Sequence, residues 1–255
     1  QERVAVHGDF DVDGITGCAV LHLLLKNLSL DGKRVGTDMP FIPDRTLDGY
    51  GVAARMVRQW ARDGVTLLIT VDTGAAAIAE LELARELGID VIVLDHHIFE
   101  ERPCAVALVN PRRPDAQYPN PDLCGVAVAF KFAEALKQAR PDSLPDGFLE
   151  SVTDLVALGL VADQMNLMGE NRVMVRKGLK RLADREHLRV GLKELLRISG
   201  LDRGFPITAS DLAYQVAPRL NACGRIGRVM TALELLLTDD VAHARRLAEE
   251  ADRTN

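Results

Sequence analysis

Two short runs, Leu67-Leu68-Ile69 and Val91-Ile92-Val93-Leu94, contain no polar residue. A strand without alternation must be covered on both faces, which is the condition of strands in a parallel sheet flanked by helices. The rest of the first half agrees. β-type runs at 3–6, 34–42, 66–71, 90–94 and 105–109 alternate with helical patterns at 15–28, 52–62 and 75–87. Such alternation predicts βαβ units: an α/β fold with a parallel β-sheet and helices on both faces. From about residue 124 the period is helical only, at 125–140, 149–164, 171–183, 190–198, 209–220, 229–237 and 241–251. We therefore expect an α/β metal-binding subdomain over 1–124, then a mostly helical part over 125–255 that completes the catalytic domain. The segment 141–147 is expected as a loop.

Acidic residues stand directly after the β-type runs. His7, Asp9, Asp11 and Asp13 alternate after the first run, Asp72 follows the third, and Asp95-His96-His97 the fourth. Open α/β sheets build their sites at the carboxyl ends of strands. Carboxylates gathered there repel one another unless a cation lies between them. One of them, for instance Asp13, could cap the helix expected near Ile15, but a cap explains one acid and not three with a histidine. Asp72 precedes Thr73-Gly74, where the chain must turn. His96 is the expected ligand of its pair, with His97 as a phosphate-facing donor and Asp95 orienting an imidazole. Asp154 and Asp163 lie nine residues apart in one apolar helical stretch, and spacing alone leaves open which of them faces the site. Mixed Asp/His ligation suits Mn²⁺, or Mg²⁺ with more water, and this many acids fits two ions.

The basic residues are local. Net charge is −6, so no overall positive field attracts a polyanion, and aromatics at 4% exclude an extended base-stacking surface. Arg219, Asn221 and Arg225, with Arg228 close by, sit among glycines in 217–228, and Arg45 and Tyr50 sit in a loop facing the same strand ends. Guanidinium forks match phosphate oxygens, so these are the candidate substrate-binding residues. The basic stretch 171–190 is expected mostly as a solvated helix face. Four cysteines without CxxC spacing are expected as buried thiols of a reducing compartment, and no apolar run is long enough to span a membrane. A strand begins at residue 3 and the last residues continue a helical pattern without a stop signal, so the chain is expected to be a fragment.

The chain resembles the DHH phosphoesterase family, and within it the branch of bacterial single-strand-specific exonucleases. The resemblance rests on HGDFDVDG at 7–14, DGYG at 48–51, VDTG at 71–74, DHH at 95–97, LCGVAVAF at 123–130, DLVALGLVAD at 154–163 and APRLNACGRIG at 217–227. It implies metal ligation by Asp11, Asp13, Asp72, His96 and Asp163, with His7 and Asp9 as further candidates. It also implies chemistry at His97, His96 and Asp72, and phosphate contacts from Arg45 and the arginines of 219–228. The implied activity is metal-dependent 5′-to-3′ hydrolysis of single-stranded DNA to 5′-mononucleotides in DNA repair and recombination, in the cytoplasm. The implied partners are single-stranded DNA, a single-strand-binding protein and a RecQ-type helicase. Gln164-Met165-Asn166 and Thr73-Gly74-Ala75-Ala76 depart from the usual sequence, and the family's second domain is not expected in this chain. Two other readings share the motifs: a phosphodiesterase for cyclic dinucleotides or short oligonucleotides, and a non-catalytic nucleic-acid-binding scaffold. Intact ligands argue against the scaffold.

Overall fold

Four strands lie side by side in the order β1 (Val4–Gly8), β4 (Leu67–Val71), β5 (Asp90–Leu94) and β6 (Ala107–Val109), all parallel. The computed structural model describes residues 2–45, 47–202, 206–225 and 227–255. Between the strands run α1 (Val12–Asn27), a small hairpin of β2 (Ser29–Leu30) and β3 (Lys33–Arg34), α2 (Ala54–Arg62) and α3 (Ile78–Glu86). The register aligns the last residues of the strands: Gly8 pairs with Val71, Val71 with Leu94, and Leu94 with Val109. The chain beyond each of these four residues therefore emerges along one edge.

The strands are covered on both faces, as their composition requires. Val4, Val6, Ile69, Val71 and Leu94 join the core beneath α1 and α4 (Gly125–Ala139). Ala5, Leu68, Val91, Val93 and Leu108 point the other way, onto Val57 and Trp60 of α2 and Leu81 of α3. The larger core continues into α5 (Phe148–Ser151), α6 (Thr153–Ala162), α7 (Gly169–Ala183), α8 (Val190–Ile198), α9 (Ala209–Asp211), α10 (Ala217–Arg225), α11 (Val229–Leu237) and α12 (Val241–Thr254). No described helix is long and apolar enough to cross a membrane.

Four sequence expectations are corrected. The run 34–42 is not a strand: beyond β3 it makes only isolated parallel bridges, Thr37 to Val4 and Phe41 to His7. Pro40, with no N–H, interrupts any ladder there. The expected helix 149–164 breaks at Val152 into α5 and α6. The expected helix 209–220 is divided by a π-type turn over Leu212–Val216. Pro218 accounts for this, since it removes an α-helical donor and its ring crowds the carbonyl four residues back. Finally, Cys104 is exposed, while Cys18, Cys124 and Cys223 are buried, and all four are free.

Candidate metal centre

Asp11 is the N-cap of α1, its Oδ1 accepting from Gly14 N at 3.1 Å. Asp13, the cap suggested by spacing, instead reaches across the fold to the first turn of α4. Its Oδ2 accepts from Gly125 N at 2.5 Å and its Oδ1 from Val126 N at 2.9 Å. A buried carboxylate on orphan N–H groups at a helix N-terminus is well held. Gly125 permits the approach, because a Cβ there would lie 2.5 Å from the Asp72 Cβ and 3.0 Å from Asp13 Oδ2. Asp72 continues β4 by one rung, donating to Leu94 O at 2.9 Å, and then turns with φ of 59°. An aspartate tolerates that left-handed conformation better than most residues.

These turns bring together most of the expected ligands. His96 Nε2 lies 3.0 Å from Asp72 Oδ1 and 3.7 Å from both Asp13 Oδ2 and Asp163 Oδ2. Asp13, His96 and Asp163 form one group able to hold an ion; Asp9, Asp11 and Asp72 form a second; and Asp72, His96 and His97 overlap both. Asp163, the C-cap of α6, is the acid of its stretch that enters the site. Asp154 is fully buried elsewhere, paired with Arg189 (Nε to Oδ2, 2.9 Å).

The electrostatics are those of carboxylates lacking a counter-ion. Burial, then the charges of Asp13 and Asp11, push Asp163 up to about 7. Burial also raises Asp9 to about 6, raises Asp11, and raises Asp72 well above the usual carboxylate range. Asp163 Oδ2 is buried without a hydrogen-bond partner. Such atoms around an imidazole fit a divalent cation. Asp95 differs. Burial pushes it up, but bonds from His97 Nδ1 (2.8 Å), Ala75 N (2.9 Å), His96 N (2.7 Å) and His97 N (3.2 Å) hold it below its ordinary value. The bond from its ring to Asp95 also raises His97, and it occupies Nδ1 of the half-exposed imidazole, leaving Nε2 as the nitrogen not bonded to Asp95. Burial lowers His96.

Not every expected residue is in the cluster. His7 is fully buried, its Nδ1 donating to Gly8 O at 3.1 Å and its Nε2 accepting from Ala53 N at 3.2 Å. Both nitrogens are occupied, burial lowers the pKa to about 4, and the ring packs edge-on to Phe41 and Trp60. Its role here is to seat a loop. Arg45 and Tyr50 are beside the site: the guanidinium lies 5.4 Å from the Phe10 ring and 5.2 Å from the exposed Tyr50 ring, and Phe10 sits between Asp9 and Asp11.

In the 217–228 segment Arg219, Asn221 and Gly224 are turned inward, while Arg225 and Arg228 are exposed. Arg219 pairs with Asp252 of α12 at 2.7 Å and donates to Gln215 O, and Arg228 pairs with Glu250 at 2.8 Å. Asn221 Oδ1 accepts from Val12 N at 3.0 Å, completing the cap of α1. Gly224 serves packing, since a Cβ there would collide with Phe10 O. Arg225 is exposed beside a cavity of 320 Å³ formed with Asn221 and the end of α12. Thr46, in the loop of Arg45 and Tyr50, and Ile226, in the 217–227 segment, lie outside the described residues.

Two residues escaped the sequence reading, Asn110 and Arg112. They come after the fourth strand just as the acids come after the other three. That positional rule could have found them, but neither is acidic.

The sequence profile of the DHH family, N-terminal domain, matches residues 3–160. The chain is 42% identical over 256 residues to the single-stranded-DNA-specific exonuclease RecJ of Bacillus subtilis, covering 100% of this chain and 30% of that protein. It is similar to the crystal structure of exonuclease RecJ bound to manganese (TM-score 0.83, 37% identity, 99% of this chain and 61% of that one). It is also similar to RecJ of Thermus thermophilus with Mn²⁺ (TM-score 0.80, 35% identity, 99% and 35%) and with Mg²⁺ (TM-score 0.68, 31% identity, 99% and 31%). The chain thus spans less than two thirds of the length of these relatives.

Proposed function

The chain belongs to the DHH family, and on that premise we propose that it is the catalytic core of a metal-dependent 5′-to-3′ exonuclease for single-stranded DNA, acting in DNA repair and recombination. The carrying observation is the convergence of Asp9, Asp11, Asp13, Asp72, His96 and Asp163 at the strand ends, with Asp163 pushed up to about 7. Asp13, His96 and Asp163 would hold one Mn²⁺ or Mg²⁺, and Asp9, Asp11 and Asp72 a second. Relatives solved with each of these metals support that choice. When bound, the ions supply an acidified water and neutralise charge on the phosphate. Hydrolysis adds hydroxide to phosphorus and a proton to the departing 3′ oxygen, releasing a 5′-mononucleotide and leaving a new 5′-phosphate.

The chain's own groups orient this chemistry. Asp95 holds His97 by its Nδ1, leaving Nε2 to donate to an oxygen gaining charge in the transition state. Gly125 and the α4 N-terminus fix Asp13 against Asp72. Tyr50 and Arg45 offer an aromatic face and a cation for the terminal nucleotide. Partners of such an enzyme would be single-strand-binding protein and a RecQ-type helicase. A cytoplasmic setting agrees with four free thiols.

The test is Mn²⁺-dependent digestion of a 5′-phosphorylated, 3′-labelled single strand, with Asp72→Ala alongside. Shortening from the 5′ end that disappears in the variant is expected. Cleavage confined to cyclic dinucleotides or very short oligonucleotides would replace this reading with that of a small-substrate phosphodiesterase.

A further inference from the structure

The fourth strand end carries a cation to the acidic site. Asn110, buried, directly follows β6. Its Nδ2 donates to His97 O at 2.9 Å and its Oδ1 accepts from Arg112 N at 2.8 Å. One side chain thereby ties the backbone of the DHH turn to that of Arg112. The guanidinium is fixed a second time, Nε donating to Pro121 O at 3.2 Å, four residues before the Gly125 N–H that binds Asp13. Arg112 is exposed and, among the described residues, forms no ion pair, so its two terminal NH₂ groups remain available. Asn110 thus seats Arg112 against the His97 backbone, and Pro121 holds its guanidinium on the segment leading into the α4 turn that binds Asp13.

Three of the other arginines considered for phosphate are differently disposed. Arg219 and Arg228 are paired with α12, and Arg45 lies on two aromatic rings, while Arg225 is exposed at the cavity beside the end of α12. A guanidinium held at its Nε, with its fork free beside a carboxylate cluster it does not pair with, is presented to an anion entering from solvent.

We propose that Arg112 is a substrate-binding residue of this site, its NH₂ fork taking the non-bridging oxygens of a nucleotide phosphate on the α4 side of the metal ligands, with Asn110 as its positioning residue. This rests on the phosphodiester reading above and adds to it a specific phosphate contact.

The test compares wild type, Arg112→Gln and Arg112→Lys, all Mn²⁺-loaded. Three quantities are measured: kinetics on the labelled single strand, affinity for thymidine 5′-monophosphate and inorganic phosphate by calorimetry, and Mn²⁺ affinity. Loss of a charge-assisted contact predicts that Arg112→Gln raises KM and weakens both anions by about 10- to 100-fold. The same variant should change kcat by only a few-fold and leave Mn²⁺ affinity unchanged, and Lys should restore part of the loss because it supplies charge without the fork. Wild-type anion affinity and KM in Arg112→Gln would overturn the proposal, as would a loss confined to Mn²⁺ affinity. If the wild type degrades no DNA, the exonuclease reading fails, while the anion titrations still decide the role of Arg112.

Discussion

Helix α6 has an aspartate at each end, and the two are treated in opposite ways. At its start Asp154 is fully buried and neutralised. Arg189 forks onto it, Nε to Oδ2 at 2.9 Å and the terminal NH₂ to Oδ1 at 3.1 Å, while also binding Ser151 O at 2.7 Å. At its end Asp163 faces Asp13 and Asp11, with the His96 imidazole at 3.7 Å. Both acids belong to one apolar helical stretch, yet one ties α6 to α8 and the other carries a charge that its neighbours disfavour. A buried acid beside an arginine is architecture, whereas a buried acid beside other acids is a site.

Removing Arg189 would break the comparison most strongly, because it makes the first end resemble the second. Arg189→Met is expected to lose about 3–5 kcal/mol of stability in urea denaturation, the usual consequence of orphaning a buried charge. Adding Asp154→Leu should recover much of that loss, since a well-packed apolar pair can replace a buried ion pair. A double variant no more stable than Arg189→Met would show that Asp154 never depended on its partner.

Changing the other end should do the reverse. Asp163→Asn removes a charge that the metal-free fold disfavours, so it should raise metal-free stability by about 1–3 kcal/mol while weakening Mn²⁺ binding. Activity should fall by on the order of 10²-fold or more, since even partners of metal ligands are worth about 10–100-fold. A metal-free protein destabilised by Asp163→Asn would place Asp163 with Asp154, as a structural acid.

The gentlest probe is pH. The folded pKa values of Asp163 and Asp9 are raised to about 7 and about 6. Raised carboxyl pKa values mean that the folded state binds more protons than the unfolded one between about pH 4 and 7. Their contribution to stability is therefore full below about pH 4 and is lost as pH rises through 6 and 7. Thermal unfolding of metal-free protein should show Tm falling over that interval, as stability drops by about 1–2 kcal/mol after allowing for partial exposure. Saturating Mn²⁺ should flatten or invert the slope, and Asp163→Asn should reduce it. A Tm that rises from pH 4 to 7 without metal would contradict the electrostatics described for the site.

Local periodicity made elements in both halves of the molecule readable. The strand at 90–94 and the helices at 190–198 and 229–237 have the bounds expected from their patterns. The strand-end rule placed Asp72 and His96 at one edge, because an apolar run leading into a turn is a short-range property. Failures came where a distant partner decides. Asp13 lies near enough to cap α1 but caps α4, 112 residues away. Asn221 and Arg219 carry phosphate-binding chemistry in their side chains, yet the packing of α10 against Val12 and Asp252 turns both inward.

By itself the sequence determined the class of fold, the edge at which chemistry is gathered and the hard, oxygen-rich character of its ligands. These depend on side-chain period and residue type over a few neighbours. Only the tertiary structure decided which of Asp154 and Asp163 faces the proposed metal ligands, why His7 is turned away from them, and how Asn110 ties the backbone of His97 to that of Arg112. Those outcomes depend on which backbone groups and charges meet across 13 to 209 residues of chain. A carboxylate's role follows from whether it meets an N–H, a guanidinium or another carboxylate there.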